Sequence, residues 1–129
     1  EKKAKIKVNT KKSSPIITAT VPVKVDLVSV PSLVNYSTNI ENGDMLKSHI
    51  EKELERKTNK VVKKSQEKLK VDLFEFYYMA RRKFLTMKQY ETYNWMENYP
   101  NATVNIHYEV ELYQFGEQVL PTNRQRVRD

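Results

Sequence analysis

A chain of 129 residues with 39% hydrophobic and 30% charged residues is long enough to form a globular domain with its own core. It contains no cysteine, which excludes disulfides, zinc–thiolate sites and a cysteine nucleophile within the chain. The net charge of +7 favours anionic partners such as nucleic acid, acidic proteins or anionic lipid headgroups. No stretch approaches the roughly 18 consecutive apolar residues of a membrane span.

Two strands are predicted at the start of the chain. Apolar and polar residues alternate from Ile17 to Leu27, a period of two that is typical of a strand with one buried face. A weaker alternation with lysines covers residues 4–8, and the sequence KKSSP at residues 11–15 predicts the turn between the two strands. Pro22 has no N–H to donate, which favours an edge strand or a bulge at that position.

A helical period follows, beginning at Asp44 as the predicted N-cap and continuing to about Phe84. No proline or glycine interrupts it, so we expect one long amphipathic helix or two nearly continuous ones. The apolar positions form one stripe at about 3.6 residues per turn: Leu46, Ile50, Leu54, Val61, Val62, Leu69, Leu73, Phe76 and Ala80.

Basic residues recur every four positions on roughly the opposite face of this predicted helix. They are Arg56, Lys60, Lys64 and Lys68, called the basic stripe below. Like charges at this spacing repel each other weakly. The stripe is either a solvated helix face or a docking surface for phosphate or lipid headgroups.

A shorter helix is predicted over Met87–Asn98, and the period-two alternation of residues 104–112 predicts the clearest strand in the chain, which Gly116 ends. Residues 117–129 are expected to form a loose basic tail. Strands, then helices, then a strand predict the α+β class. We expect a single domain over residues 1–129, with an antiparallel sheet packed on one face by the long helix and the shorter helix.

The residues that enzymes commonly use are sparse. With two glycines there is no phosphate-binding loop, and His49 and His107 lack any metal-ligand spacing. Glu109 and Glu111 lie on the same side of a predicted strand, an arrangement that paired catalytic carboxylates can also have. Charged residues on the solvent-exposed face of a strand explain them more simply. We therefore expect no enzymatic activity, no cofactor and no metal.

The segment DLFEFYYMARRKF, residues 72–84, mixes aromatic and basic side chains. Such aromatic side chains can stack on nucleic-acid bases while the basic ones contact phosphates. Alternatively, the segment is an amphipathic helix whose aromatic face is buried in the core and whose basic face is exposed to solvent. On a helix, Asp72 falls beside the apolar stripe, where a carboxylate is costly unless it is hydrogen-bonded or paired. We interpret most of these aromatics as core residues and Asp72 as a structural carboxylate.

The stretches KSQEKLKVDLFEFYYMARRKF and YNWMENYPNATVNIHYEVELYQFG resemble the C-terminal domain of the Ger(x)C family of spore germination proteins. The resemblance covers roughly residues 17–116 and departs from the family at Tyr77, where glycine is usual. Its motif residues, in order, are Gln66, Asp72, Phe74, Phe76, Trp95, Tyr99, Pro100, Val104, Ile106 and Gly116.

The resemblance implies a non-enzymatic lipoprotein subunit of a germinant receptor, on the outer face of the spore inner membrane beside two membrane subunits. Its lipid-bearing cysteine would lie outside this chain, which begins at Glu1 and is expected to be a C-terminal fragment. No specific nucleic-acid partner is expected. The matching positions are structural candidates: Asp72, Phe74, Phe76, Trp95 and Gly116.

Two alternatives remain open from the sequence. One is a nucleic-acid-binding module that uses the basic stripe, Arg56, Lys60, Lys64 and Lys68. The other is an extracytoplasmic domain of an unrelated family with a protein partner. The germinant, the partner-facing surface and the oligomeric state do not follow from the sequence.

Overall fold

The computed structural model of the protein describes residues 3–27, 40–114 and 116–119. Its strands are β1 (Lys5–Asn9), β2 (Ile16–Asp26), β3 (Thr103–Gln114) and β4 (Glu117–Gln118). Its α-helices are α1 (Ile40–Lys64), α2 (Tyr77–Arg81), α3 (Met87–Tyr93) and α4 (Trp95–Asn98). A π-helical turn, Ser65–Leu69, continues α1, and a 3₁₀ turn, Tyr99–Asn101, follows α4. The α+β class predicted from the sequence is confirmed.

The four strands form one sheet in the order β1-β2-β3-β4. β1 pairs antiparallel with β2, with Val8 opposite Ile17, and β3 pairs antiparallel with β4, with Tyr113 opposite Gln118. The sheet is mixed, so the prediction of a purely antiparallel sheet is wrong in this detail. The parallel pair is therefore β2–β3, whose connection contains α1 and is long enough for the crossover that parallel strands need.

Pro22 lies within β2, which is an inner strand of the sheet. The pairing of β2 with β1 ends at Thr20. Pro22 therefore falls beyond the β1–β2 ladder, and its missing N–H breaks none of the bonds in that ladder. The sequence predicted an edge strand or a bulge at Pro22. In the structure, β2 is longer than β1, so Pro22 has no hydrogen-bonding partner in β1.

Two compact units can be distinguished in the chain. Of the described residues, unit 1 comprises 3–21 and 55–107, and unit 2 comprises 22–27, 40–54, 108–114 and 116–119. The division falls within β2, α1 and β3. The single-domain organisation of residues 1–129 stays a prediction. Of the expected tail, Glu117 and Gln118 form β4, and residues 120–129 lie outside the described residues.

The core of unit 2 lies between the first half of α1 and the end of β3. Leu27, Leu46, Val110 and Leu112 are buried in it, and five more apolar residues are partly buried against them: Val23, Val25, Ile50, Leu54 and Val119. The carboxylate of Glu51, on α1, accepts a hydrogen bond from the backbone N–H of Val110 at 2.9 Å. The predicted helical stripe and the predicted strand alternation therefore meet in one cluster.

Unit 1 has a core that mixes aliphatic and aromatic side chains. Its buried hydrophobic residues are Val8, Ile17, Ala19, Val62, Phe76, Ala80, Trp95, Tyr99 and Ile106. α2 packs against β1, and α3 packs against α4. The alternation in β1 and β2 places Val8, Ile17 and Ala19 on the buried side, as period two predicts.

The predicted long helix does not continue to Phe84. The helical backbone ends at Leu69, and Lys70 and Glu75 take left-handed conformations, with φ of 50° and 58°. The backbone N–H groups of Lys70 and Val71 both donate to Ser65 O, which closes the π-helical turn. Leu69 and Leu73, which were assigned to the buried stripe, are exposed where the helix ends. Val61, assigned to the same stripe, is exposed within α1.

The predicted shorter helix is divided into α3 and α4. Asn94 separates them in a left-handed conformation with a φ of 58°, which asparagine tolerates better than most residues. Its N–H donates to the carbonyls of Tyr90 and Glu91, and its side-chain oxygen accepts from Glu97 N. Asn94 thus ends one helix and caps the next, and the chain turns so that Trp95 points inward.

Candidate interaction surface

Asp72 is buried in unit 1, with 7% of its surface exposed, and its carboxylate accepts three hydrogen bonds. Oδ1 accepts from the backbone N–H of Phe76 at 3.1 Å. Oδ2 accepts from the backbone N–H of Tyr77 and from Trp95 Nε1, both at 2.9 Å. These groups, called the Asp72 cluster below, tie the start of α2 to α4.

A second polar contact joins the π-helical turn to the 3₁₀ turn. Ser65, which is fully buried, donates from Oγ to Val62 O at 2.6 Å, and its Oγ lies 2.8 Å from Tyr99 Oη. Gln66 Nε2 donates to the carbonyls of Tyr99 and Ala102 at 3.0 and 2.8 Å. Burial raises the pKa of the Tyr99 phenol above its ordinary value. The side chains of the π-helical turn therefore hold the residues that precede β3.

The five structural candidates are in different environments. Phe76 and Trp95 are buried, whereas Phe74 is 39% exposed and stacks on Phe76 with ring centroids 5.6 Å apart. Gly116 follows β3 with a φ of +82°, a conformation that side-chain-bearing residues rarely adopt. The structure brings Asp72, Phe76 and Trp95 together in unit 1.

Residues 69–74, which run from the last residue of the π-helical turn toward α2, carry exposed apolar side chains and are called the 69–74 segment below. Four of its six residues are large and apolar, and each exposes between 39% and 50% of its surface: Leu69, Val71, Leu73 and Phe74. The buried carboxylate of Asp72 lies within the same segment. Sequence reasoning missed this surface because it assigned Leu69 and Leu73 to the buried stripe of a helix.

The basic stripe keeps its four side chains on the surface. Arg56, Lys60 and Lys64 are exposed on α1, and Lys68 is exposed on the π-helical turn. Exposed cations of this kind attract anions electrostatically, and salt weakens that attraction. The stripe can therefore hold an anionic surface loosely.

A groove of about 560 Å³ lies in unit 1 beside the connection between α2 and α3. Its lining residues are Tyr78, Met79, Arg81, Arg82, Phe84, Leu85, Thr86, Met87 and Tyr90. Six of the nine lining residues belong to the stretch Arg81–Lys88, called the Leu85 turn below. Leu85 is 93% exposed, which is the largest value for a large hydrophobic side chain in the described part of the chain.

Hydrogen bonds and ring contacts fix the Leu85 turn. Thr86 caps α3 by accepting from Gln89 N at 3.1 Å, and Gln89 Oε1 accepts from Leu85 N at 3.1 Å. This reciprocal arrangement is a form of capping box. The ring of Phe84 lies 5.9 Å from that of Tyr90 and 5.2 Å from that of Tyr93. The turn is thus anchored on both sides of Leu85.

Across residues 3–27, 40–114 and 116–119, no cluster of three or more metal-ligating side chains occurs. In the same residues, no helix combines the length and the apolar character needed to cross a bilayer. Within the part of the chain that the structure describes, the buried polar or charged residues are Ser65 and Asp72, and both make hydrogen bonds within the fold.

The model of one protein family matches residues 1–116, nearly the whole chain. That family is described as spore germination B3/GerAC-like, C-terminal. The chain belongs to this family. The resemblance found in the sequence is therefore confirmed, and the match begins sixteen residues earlier than expected, so that it includes β1.

Among solved structures, the crystal structure of the GerBC protein is similar to this GerAC-like domain, with a TM-score of 0.58 at 20% identity. The similarity covers 83% of this chain and 33% of the GerBC chain. At this identity the likeness concerns the fold, and the chain spans about a third of the protein it matches. No curated protein matches the sequence significantly.

The residues that carried the resemblance are concentrated at two contacts of the GerAC-like domain. Asp72, Phe76 and Trp95 meet in the Asp72 cluster, and Gln66 bonds to Tyr99 O. Tyr77, which replaces the usual glycine of the family, stacks on Tyr78 with ring centroids 4.4 Å apart. The hydrogen bond with Tyr78, with a contribution from burial, raises the pKa of Tyr77 to about 12.

Proposed function

We propose that the chain is a non-enzymatic interaction domain of a germinant-receptor C subunit and that it contributes to assembly of the receptor that triggers spore germination. Membership of the GerAC-like C-terminal family and the likeness to GerBC support the receptor assignment. The proposed partners are the membrane subunits of the receptor. A lipid outside this chain would anchor the subunit at the outer face of the spore inner membrane.

The observation that carries the proposal is the exposed apolar surface of the 69–74 segment. Contiguous apolar patches on protein surfaces usually mark interaction sites, because leaving them in water is unfavourable. Leu69, Val71, Leu73 and Phe74 supply the patch within six residues.

The segment is held in place from both ends. Lys70 closes the π-helical turn, and the carboxylate of Asp72 binds the backbone that begins α2. A surface that is already ordered loses less conformational entropy when a partner binds. The arrangement therefore suits a stable contact between subunits.

The polar interior supports a non-enzymatic role. Asp72 uses its carboxylate for three hydrogen bonds within the fold, and Ser65 bonds to Val62 and Tyr99. A catalytic acid, base or nucleophile must instead face a substrate. These two buried groups serve packing between elements.

The experiment replaces Val71 and Leu73 by serine in the complete subunit, in spores that carry the receptor. The expected result is loss of co-purification with the membrane subunits and slower germination with a germinant that triggers wild-type spores. The matched control is Val61→Ser, since Val61 is 47% exposed on α1 and lies outside the segment. Thermal unfolding of the 129-residue variant chains checks that the fold persists.

Wild-type co-purification and germination in the Val71→Ser/Leu73→Ser spores would exclude the 69–74 segment as the assembly surface. Equal losses in this variant and in Val61→Ser would also contradict the proposal, because they would show a general effect on the protein.

A further inference from the structure

The Leu85 turn places an apolar side chain where it can contact almost nothing within the chain. Leu85 is 93% exposed and Met87 is 52% exposed. Single exposed apolar residues are common on protein surfaces and need no function. The turn differs from that case in two respects, its fixed backbone and its charge.

The backbone of the turn is bonded on either side of Leu85. Lys83 N donates to Ala80 O at 3.0 Å, and Phe84 N donates to Arg81 O at 3.2 Å. Leu85 N itself donates to the side chain of Gln89. The exposure of Leu85 is therefore a property of a built turn.

The charged residues within the Leu85 turn are all basic. Four cations flank the apolar residues, and all of them are exposed: Arg81, Arg82, Lys83 and Lys88. No acidic residue occurs from Met79 to Tyr90. The turn thus places four basic residues beside two exposed apolar side chains in the sequence.

Two partners have the matching chemistry, an anionic lipid bilayer and an acidic amphipathic peptide. A peptide that binds in a groove contacts apolar side chains on the groove floor, which the walls partly cover. Here Leu85, one of the lining residues, is 93% exposed, so the walls of the groove cover almost none of its side chain. A protruding apolar side chain with long cations beside it can enter the headgroup region while the cations stay with the phosphates.

An aromatic side chain beside the turn fits the same environment. Tyr78 lines the groove and is 55% exposed. Tyrosine is enriched at membrane–water interfaces because its ring is apolar and its hydroxyl is polar. Tyr78, Leu85 and Met87 are the exposed apolar residues of this surface, and the four cations are its charged residues.

We propose that the Leu85 turn is a contact site for an anionic phospholipid surface. Leu85 and Met87 enter the headgroup region, and the cations of the turn bind lipid phosphates. This contact is separate from the 69–74 segment and from any covalent lipid. It would orient the domain on a membrane.

The test measures partition of the 129-residue chain onto vesicles by co-sedimentation at about 0.15 M salt. One set of vesicles contains phosphatidylglycerol mixed with phosphatidylcholine, and the other contains phosphatidylcholine alone. We expect binding to the first set only. Leu85→Ser/Met87→Ser should weaken it by about tenfold or more, since two apolar side chains lose their burial.

Removal of charge is tested with two variants of equal net charge. Arg82→Ala/Lys83→Ala should weaken binding by about tenfold, because each cation near an anionic surface contributes severalfold. Lys60→Ala/Lys64→Ala, in the basic stripe, should change it by about twofold at most, since those cations are on α1, outside the Leu85 turn. Circular dichroism confirms that each variant is folded.

Three results would overturn the proposal. The first is wild-type partition of Leu85→Ser/Met87→Ser, and the second is an equal loss in the two charge variants, since both indicate diffuse attraction alone. The third is no vesicle binding together with Leu85-dependent binding of an acidic amphipathic peptide, which would assign the surface to a protein. The proposed function is tested separately, because Val71→Ser/Leu73→Ser should bind vesicles like the wild type.

Discussion

Trp95 Nε1 donates a hydrogen bond of 2.9 Å to Asp72 Oδ2, across 23 positions of the sequence. The same oxygen accepts from the backbone N–H of Tyr77, and Oδ1 accepts from that of Phe76. One buried carboxylate therefore fixes both the first turn of α2 and the indole that fills the core of unit 1. This dependence makes the cluster the most informative place to test what holds the unit together.

We predict that Asp72→Ala lowers the free energy of unfolding by about 3 kcal/mol, because it leaves the buried indole N–H and two backbone N–H groups without an acceptor. Asp72→Asn should lower it by about 1–2 kcal/mol, since its single carbonyl oxygen can replace Oδ2 while its NH₂ faces the N–H of Phe76. Urea denaturation followed by circular dichroism measures both values. The control Glu67→Ala removes an exposed acid and should change stability by about 0.5 kcal/mol at most.

A double-mutant cycle with Trp95→Phe isolates the bond between the two side chains. We expect a coupling energy of about 1–2 kcal/mol between Asp72→Ala and Trp95→Phe. Because Trp95 is the single tryptophan, the measurement needs circular dichroism rather than fluorescence. Additive effects of the two changes would show that the hydrogen bond contributes nothing specific to stability.

The sequence predicted that Asp72 is a structural carboxylate, but it placed the residue on a helix that in the structure ends before it. Nothing local marks the end of that helix, since neither glycine nor proline occurs there. The contacts made where the helix ends are with residues more than thirty positions away in the sequence. Ser65 contacts Tyr99, and Gln66 donates hydrogen bonds to the carbonyls of Tyr99 and Ala102. By contrast, the alternation over residues 104–112 predicted β3 well, because period two depends on neighbouring residues alone.

Val61 and Val62, which are adjacent on α1, give a matched test of which face of this helix is buried. Val62 is 4% exposed and Val61 is 47% exposed, although both were assigned to the buried face. We predict that Val62→Asp abolishes cooperative thermal unfolding, because it buries an unpaired charge. Val61→Asp should lower the free energy of unfolding by about 0.5 kcal/mol. Similar losses at the two positions would mean that α1 buries a different face.

High pH should destabilise the fold through its buried tyrosines. Burial raises the pKa values of Tyr90, Tyr93 and Tyr99 above the ordinary value of 10.0. The folded state therefore holds these phenol protons more tightly than the unfolded chain does. Stability is fully present below pH 10 and falls as the pH rises from there through the folded-state pKa values.

We predict that Tyr99→Phe makes this decline shallower, since one of the three groups is removed. It should also cost about 1 kcal/mol at neutral pH through loss of the contact with Ser65 Oγ. Urea denaturation between about pH 8 and pH 11 measures both effects. A wild-type slope in Tyr99→Phe would show that this phenol ionises as readily in the folded state as in the unfolded chain.

The nucleic-acid alternative rests on the basic stripe, and the stripe alone should support only weak, non-specific binding. Arg56, Lys60, Lys64 and Lys68 are exposed cations without an aromatic side chain between them in the sequence, so phosphate attraction has no base-stacking or base-reading contact to accompany it. Fluorescence titration of duplex DNA at about 0.15 M salt should give a Kd no tighter than about 10⁻⁶ M, the non-specific range. Lys60→Glu/Lys64→Glu should weaken binding equally for different DNA sequences and reduce its dependence on salt. Nanomolar binding to one DNA sequence over others would contradict both this prediction and the receptor assignment.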